Sequence, residues 1–246
     1  TLNLTAVTAI MTANQYRVVV FSCSPTGLNS SAAILTVNNP VAITTQPIST
    51  SICEGTDVTF TSAATGTSLT YQWQQSIDGG SIWTNVTGAN NASLTLTAVA
   101  ISLNNNQYRV NATGTCTPAG INSNVAILTV NSLVTIATHP ASNAVCAGWN
   151  MAFSVSASGT GLTHQWQEST DAGVTWSNIT GATSATLTLT AVTTSMNNYR
   201  YRAVLNGTCT VNLNSSAAIL TVNTPVSITK QPVNTSVCRG SNMSFT

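Results

Sequence analysis

Short segments of this chain alternate apolar residues with threonine, as in residues 58–61 and 94–97. Side chains two positions apart share one face of a strand, so each segment predicts a strand with one buried face and one threonine-lined solvent face. Glycine-containing turns such as residues 78–80 separate these segments, and no sustained helical period is present. The pattern predicts an all-β fold with about seven strands in each stretch of about 93 residues, which is the size of a β-sandwich domain.

The pattern recurs after 93 residues, because Trp73 is matched by Trp166 and Trp83 by Trp176. Trp73 and Trp166 each stand in the middle of a Gln-Trp-Gln segment. We therefore predict two complete domains in residues 40–131 and 132–223, placed head-to-tail, with the last strands of another domain in 1–39 and the first strands of one in 224–246. Neither partial piece carries the Gln-Trp-Gln segment, so we expect the chain to be a piece of a longer array.

The order of landmarks within each repeat is similar to that of an immunoglobulin-like sandwich. A proline kink is followed by a glycine turn, an aromatic strand, a tryptophan strand and a strand that begins with Tyr-Arg. The resemblance implies a core Trp on strand C and a tyrosine corner at the start of strand F. No cysteine stands at Ser62 or Val110, where the usual core bridge would lie, so we expect the core Trp to pack on aliphatic neighbours. The expected core residues are Trp73, Trp166, Tyr108, Tyr201, Phe60 and Phe153.

A longer series of motifs runs through the first complete repeat: Gln46-Pro47, Cys53-Glu54-Gly55, Tyr71-Gln72-Trp73-Gln74, Asp78-Gly79-Gly80, Trp83, Tyr108-Arg109, Gly114-Thr115-Cys116 and Leu128-Thr129-Val130. This series resembles the Ig-like repeats of giant surface and secreted proteins of Bacteroidota. The resemblance implies export by the type IX secretion system, an extracellular or cell-surface location and, for some such proteins, a role as adhesins. A fold shared by many proteins does not fix the activity of this one.

The six cysteines fall into two classes. One class precedes a glycine turn and the other follows the Tyr-Arg strand: Cys53, Cys146 and Cys238 in the first, and Cys23, Cys116 and Cys209 in the second. Regular cysteine spacing in a secreted chain favours disulfide bonds.

Three pairings are open. The intradomain alternative joins Cys53 to Cys116 and Cys146 to Cys209. Strand F separates the members of each such pair by about 20 Å, whereas a disulfide needs Cα atoms within about 7 Å. The interdomain alternative joins Cys53 to Cys209, and the remaining cysteines, including Cys23 and Cys238, then pair outside this piece. The third alternative joins neighbouring chains in a fibre.

Charge and candidate chemistry exclude several classes of protein. Charged residues make up 4% of the chain and the net charge is +1, so nucleic acid is not an expected partner. No apolar run approaches about 18 residues, so we expect no membrane insertion. His139 and His164 stand where the other repeat has Gln46 and Tyr71, and no nucleophile accompanies them, so we expect no enzyme activity and no cofactor.

The remaining polar and aromatic candidates point to surfaces. Asp78 and Asp171 recur in turns, so we expect turn chemistry there instead of a metal site. Arg109 and its equivalents follow the corner Tyr and point outward, with Gln72 and Gln74 as expected hydrogen-bond partners. Trp149 has no aromatic equivalent in the other repeats and is a possible contact with a neighbouring domain or chain.

These patterns favour a structural segment of a long extracellular tandem-repeat protein that forms a cell-surface stalk or filament. Its expected partners are adjacent repeats or neighbouring copies of itself. One alternative is an adhesive module that binds an extracellular surface, glycan or protein. A second is a spacer attached to a secreted enzyme.

Overall fold

The computed structural model describes residues 1–23 and 26–245 and divides into two compact units, Thr1–Asn131 and Ser132–Thr246. Each unit is built from strands, with single 3-10 turns at Ala9–Met11, Ile101–Leu103 and Thr194–Met196 as the helical parts of the described chain. The all-β expectation is confirmed.

Residues 1–39 contribute four two-residue strands: β1 Gln15–Tyr16, β2 Val19–Val20, β3 Leu28–Asn29 and β4 Ala33–Ile34. The first complete repeat has ten strands: β5 Ala42–Thr45, β6 Thr50–Cys53, β7 Val58–Thr61, β8 Ala63–Thr65, β9 Thr70–Ser76, β10 Thr84–Asn85, β11 Ser93–Leu96, β12 Gln107–Gly114, β13 Thr117–Asn122 and β14 Ala126–Asn131. The second repeat has the equivalent ten: β15 Thr135–Thr138, β16 Asn143–Cys146, β17 Met151–Ser154, β18 Ser156–Ser158, β19 Thr163–Ser169, β20 Ser177–Asn178, β21 Thr186–Leu189, β22 Arg200–Gly207, β23 Thr210–Asn214 and β24 Ala218–Asn223. Residues 224–245 contain no strand.

Two layers form the first repeat. One sheet has the order β10-β9-β12-β14-β6, with β13 also on β12, and the β14–β6 pair is its parallel contact. The opposite layer consists of the pairs β11–β7 and β5–β8, in which β8 continues β7 after Ser62. The first stretch of the domain therefore contributes β5 to one layer and β6 to the other. The second repeat has the same pairings, from β15 to β24.

The core lies between these layers and contains the aromatic residues of the central strands. Trp73 and Tyr108 have no exposed surface, and the ring of Phe60 stacks on Tyr108 with 5.1 Å between centroids. The indole N–H of Trp73 donates to the carbonyl of Asn91 at 3.0 Å, which satisfies its one polar atom. The ring centroids of Phe60 and Trp73 are 6.3 Å apart. The expectation of purely aliphatic neighbours for this Trp is therefore wrong in the first repeat.

The second core repeats these contacts. Trp166 and Tyr201 have no exposed surface, and Phe153 stacks on Tyr201 at 5.2 Å. The Trp166 indole N–H donates to the carbonyl of Ser184 at 2.9 Å. Each repeat thus has its own apolar core, which is what an independently folded domain requires.

Candidate functional surfaces

In each repeat an arginine lies over a tryptophan on the outer face of the larger sheet, which contains β9 and β12 in the first repeat and β19 and β22 in the second. In the first, the guanidinium carbon of Arg109 is 4.1 Å from the ring centroid of Trp83. Arg109 Nε donates to Gln74 Oε1 at 2.9 Å, and Gln74 Nε2 donates to Asn85 Oδ1 at 3.1 Å. The cation is held by an aromatic face and an amide, with no carboxylate needed.

The second repeat builds the same arrangement from Arg202, Trp176, Gln167 and Asn178. The Arg202 carbon is 4.2 Å from the Trp176 centroid, and its Nε donates to Gln167 Oε1 at 2.9 Å. Partial burial lowers the pKa of this guanidinium, as it does in the first repeat. Because the arginines cover these tryptophans, the covered ring faces make contacts within their own domains.

Only one of the two glutamines expected beside Arg109 bonds to it. Gln72 instead turns its amide nitrogen to the carbonyls of Trp73 and Val86, at 2.8 and 2.9 Å. Gln72 therefore ties strand β9 to the loop after β10 and belongs to the scaffold. The expectation that it supports Arg109 is wrong.

The two recurring aspartates hold turns. Asp171 accepts hydrogen bonds from Ser169 Oγ and from the N–H and hydroxyl of Thr175, and these bonds lower its pKa to about 2. Asp78 accepts from Ser76 Oγ and from the N–H groups of Ser81 and Ile82, which also lower its pKa. Over residues 1–23 and 26–245, no group of three acidic, histidine or cysteine side chains is placed to hold a metal ion.

The histidines have separate surroundings. His139 Nδ1 accepts a hydrogen bond from the Ser216 N–H at 3.0 Å, the counterpart of the bond that Gln46 accepts from Asn124 N–H. His164 lies on β19, in the place that Tyr71 occupies on β9. Each histidine therefore replaces a residue of the scaffold in the other repeat.

The cysteines differ in oxidation state. Cys53 and Cys209 are disulfide-bonded, whereas Cys23, Cys116, Cys146 and Cys238 carry free thiols. Neither intradomain bridge is formed, because each would need Cys116 or Cys146.

The geometry of the first repeat gives the reason. Cys53 ends β6 opposite Asn131, the last residue of β14, while Cys116 follows the far end of β12. β14 runs antiparallel to β12, so the eight residues of β12, a length of about 23 Å, separate the two cysteines. The Sγ of Cys116 donates to the carbonyl of Asn38 at 3.4 Å, at the chain entry to this domain.

Trp149 is the most exposed tryptophan at a candidate position. Its side chain is 69% exposed, although its backbone is fixed by a bond to the Cys146 carbonyl and another from the Val192 N–H. The equivalent position in the first repeat is Thr56. The feature is therefore particular to one domain.

The arginine–tryptophan pairs were not predicted from the sequence. The recurrence of Trp83 as Trp176, together with that of Arg109 as Arg202, was the available signal.

A family model described as "Domain of unknown function (DUF8696)" matches residues 42–132 and again 135–224. The chain belongs to this family. The two DUF8696 matches cover one complete sandwich each. No curated protein is detectably similar in sequence.

Solved structures share the fold of these DUF8696 domains. Titin domains I67–I69, in an E-to-A variant, superpose with a TM-score of 0.55 at 19% identity, over 79% of this chain and 69% of theirs. Rst D1–D2 gives 0.55 at 14% identity, over 75% and 100%. The four N-terminal Ig domains of Dscam1 isoform 6.9 give 0.53 at 13% identity, over 80% and 52%. The chain is therefore a tandem of Ig-like domains. No helix in the described parts is long and apolar enough to cross a membrane.

Proposed function

We propose that this chain is a structural segment of a long extracellular tandem-repeat protein, and that disulfides between successive domains make it a cell-surface stalk or filament. The cysteine pattern carries the proposal. Disulfide bonds persist outside the reducing cytosol, so the oxidised state of Cys53 and Cys209 supports an extracellular location. The Bacteroidota-type motifs described above support export by the type IX system.

The partner of Cys53 follows from the repeat. Cys116 lies beside the carbonyl of Asn38. A shift of 93 residues replaces Cys116 by Cys209 and Asn38 by Asn131, and Asn131 lies opposite Cys53 in the β6–β14 pair. We therefore expect Cys209 to reach Cys53 and to join the two domains covalently.

The same rule explains the free thiols. In a longer array, Cys146 pairs with a cysteine of the following domain and Cys116 with one of the preceding domain. Cys23 and Cys238 pair by the same rule with further domains. Each domain then carries two covalent links to its neighbours, which limits the separation of domains under tension.

The remaining surface suits a durable extracellular rod. The chain has only six Lys and Arg residues and five acidic ones. Changes in salt concentration or pH therefore have little effect on the electrostatic interactions of its surface. The few basic residues also leave few sites for trypsin-like proteases. Arginine and glutamine on the outer face bind to each other within the domain.

The adhesive alternative rests on Trp149. A 69% exposed tryptophan is a costly surface residue and a frequent interface anchor. A repeated binding surface would place such a ring in every domain, yet the first complete repeat has Thr56 at this position. The stalk therefore remains the first proposal, and the spacer of a secreted enzyme remains the alternative that a full-length sequence decides.

Electron microscopy of native material tests the proposal. Continuous filaments or long stalks with a subunit spacing equal to one domain are the expected result, and they should lengthen after reduction, because the peptide chain still connects the domains. Short globular particles that are unchanged by reductant would contradict it. Isolated strands that end in a different head would retain the stalk and move the binding activity to that head.

A further inference from the structure

Strand β11 is an open sheet edge in the first repeat. It pairs with β7 on one side, and no strand among the described residues pairs with it on the other. The Ser62 N–H donates to the carbonyl of Ala92, which fixes the alternation of this pair. By this alternation Leu94 and Leu96 bond inward to β7, and Ser93 and Thr95 turn their N–H and C=O groups to the open side. Neither residue has a backbone partner there among the described residues.

The second repeat has the same edge. The Val155 N–H donates to the carbonyl of Ala185, and within the described parts of the chain β21 pairs with β17 alone. The outward groups are therefore those of Thr186 and Thr188. A feature that recurs at the same register in both domains belongs to the repeat unit itself.

A groove runs along each edge. In the first repeat it measures about 360 Å³ and lies between the loop 86–91 and β11; in the second it measures about 300 Å³ and lies between 179–184 and β21. Soluble proteins usually protect open edges with lysine, proline or a covering element. The stretches 86–97 and 179–190 contain no charged residue and no proline.

We propose that this edge pairs with the same edge of a second copy of the chain, in antiparallel orientation. A two-fold axis sets Ser93 opposite Thr95 of the copy and Thr95 opposite its Ser93. Each facing pair exchanges two backbone hydrogen bonds, so the edge satisfies itself without a different partner. The neutral, threonine-rich surroundings offer no like-charge repulsion to such a pair. The inference rests on the proposed stalk and adds its lateral association into bundles.

The test is self-association of the chain after the free thiols have been alkylated. Sedimentation velocity over a range of concentrations gives the association constant. Thr95→Lys with Thr188→Lys sets each new lysine diagonally across the paired edge from the same lysine of the copy, about 7–8 Å away and within reach of its long side chain. The like charges are expected to weaken association at least tenfold, about 1.4 kcal/mol. The matched control is Thr61→Lys with Ser154→Lys, which adds the same charges to exposed positions of the inner strands β7 and β17 and is expected to stay within about twofold of the original.

Amide hydrogen exchange provides the second readout. The N–H groups of Thr95 and Thr188 should gain protection as concentration rises, while those of exposed loops should not. A chain that stays monomeric at every concentration, or two variants that weaken association equally, would overturn edge pairing. Either result leaves the disulfide-linked stalk standing, because that proposal depends on contacts along one chain.

Discussion

The hydroxyl of Tyr201 offers a direct test of how the core is built. Tyr201 has no exposed surface, its ring stacks on Phe153, and its hydroxyl has no hydrogen-bond partner among the described residues. Burial raises the pKa of this phenol, and the charges of Glu168 and Tyr199 raise it further. In an immunoglobulin tyrosine corner this hydroxyl would bond to the backbone, so the corner has the expected Tyr without the expected bond.

The magnitude follows from the buried oxygen. A buried polar group without a partner costs about 1–3 kcal/mol. Tyr201→Phe removes that group and keeps the ring stack, and the small void left by the oxygen costs about 1 kcal/mol at most. We expect a net stabilisation of about 1 kcal/mol, which raises the melting temperature of a domain of this size by roughly 5 °C.

Tyr71→Phe is the matched control. The Tyr71 hydroxyl accepts a hydrogen bond from the Ala64 N–H at 3.0 Å, so the same chemical change there removes a formed bond. We expect it to destabilise its domain by about 0.5–1.5 kcal/mol. Differential scanning calorimetry of both variants supplies the comparison. If Tyr201→Phe lowers the melting temperature as much as Tyr71→Phe does, the hydroxyl has a bonded partner and the reasoning fails.

Four further substitutions test the surface and the turns. Arg109→Gln removes the cation over Trp83 and should cost about 0.5–1 kcal/mol in urea denaturation, with an unchanged midpoint as the contrary result. The fold favours ionised Asp171, whose pKa of about 2 lies below its ordinary 3.8, so its stabilisation is present above about pH 4 and is lost as the pH falls toward 2. Asp171→Asn should remove that part of the acid decline in melting temperature, and an identical acid profile would contradict this. Gly159→Ala should lower the free energy of unfolding by about 2–4 kcal/mol, because φ is +154° and the new Cβ meets the backbone of Val134 at 2.8 Å. Gly181→Ala, where φ is +75° and the new Cβ meets open space, should lower it by about 1 kcal/mol. Equal losses would refute the steric argument.

The all-β tandem fold was predictable because local signals and periodicity agree. Threonine alternation defines the strands, and the repeated Trp and Tyr positions define the domains. The pairing of the strands was less accessible. Alternation places Leu94 and Leu96 inside, but it does not say whether another strand covers the outer edge of β11. That edge depends on the crossover from β10, which runs through residues 86–92 without forming a strand.

For a similar reason, the alternation of side chains along the strand could not predict which glutamine bonds to Arg109. Gln72 and Gln74 are two positions apart and share a face, so the sequence does not separate them. The register decides: Gln74 lies opposite Arg109, whereas Gln72 lies opposite Asn111. Register between distant strands is a tertiary property, fixed by the packing of whole strands.

The central claim is that a disulfide joins successive domains, and tryptic mapping without reduction tests it most directly. Cleavage follows the six basic residues, which are Arg17, Arg109, Arg200, Arg202, Lys230 and Arg239. Cys53 then lies in peptide 18–109, Cys116 and Cys146 in 110–200, and Cys209 in 203–230. Alkylation before digestion blocks the free thiols, and a Cys23→Ser variant leaves Cys53 as the one cysteine of its peptide.

Peptide 18–109 is expected to be linked to peptide 203–230, while 110–200 is recovered alone with both of its cysteines alkylated. Linkage of 110–200 to both of the other peptides would show the intradomain bridges and contradict the central claim.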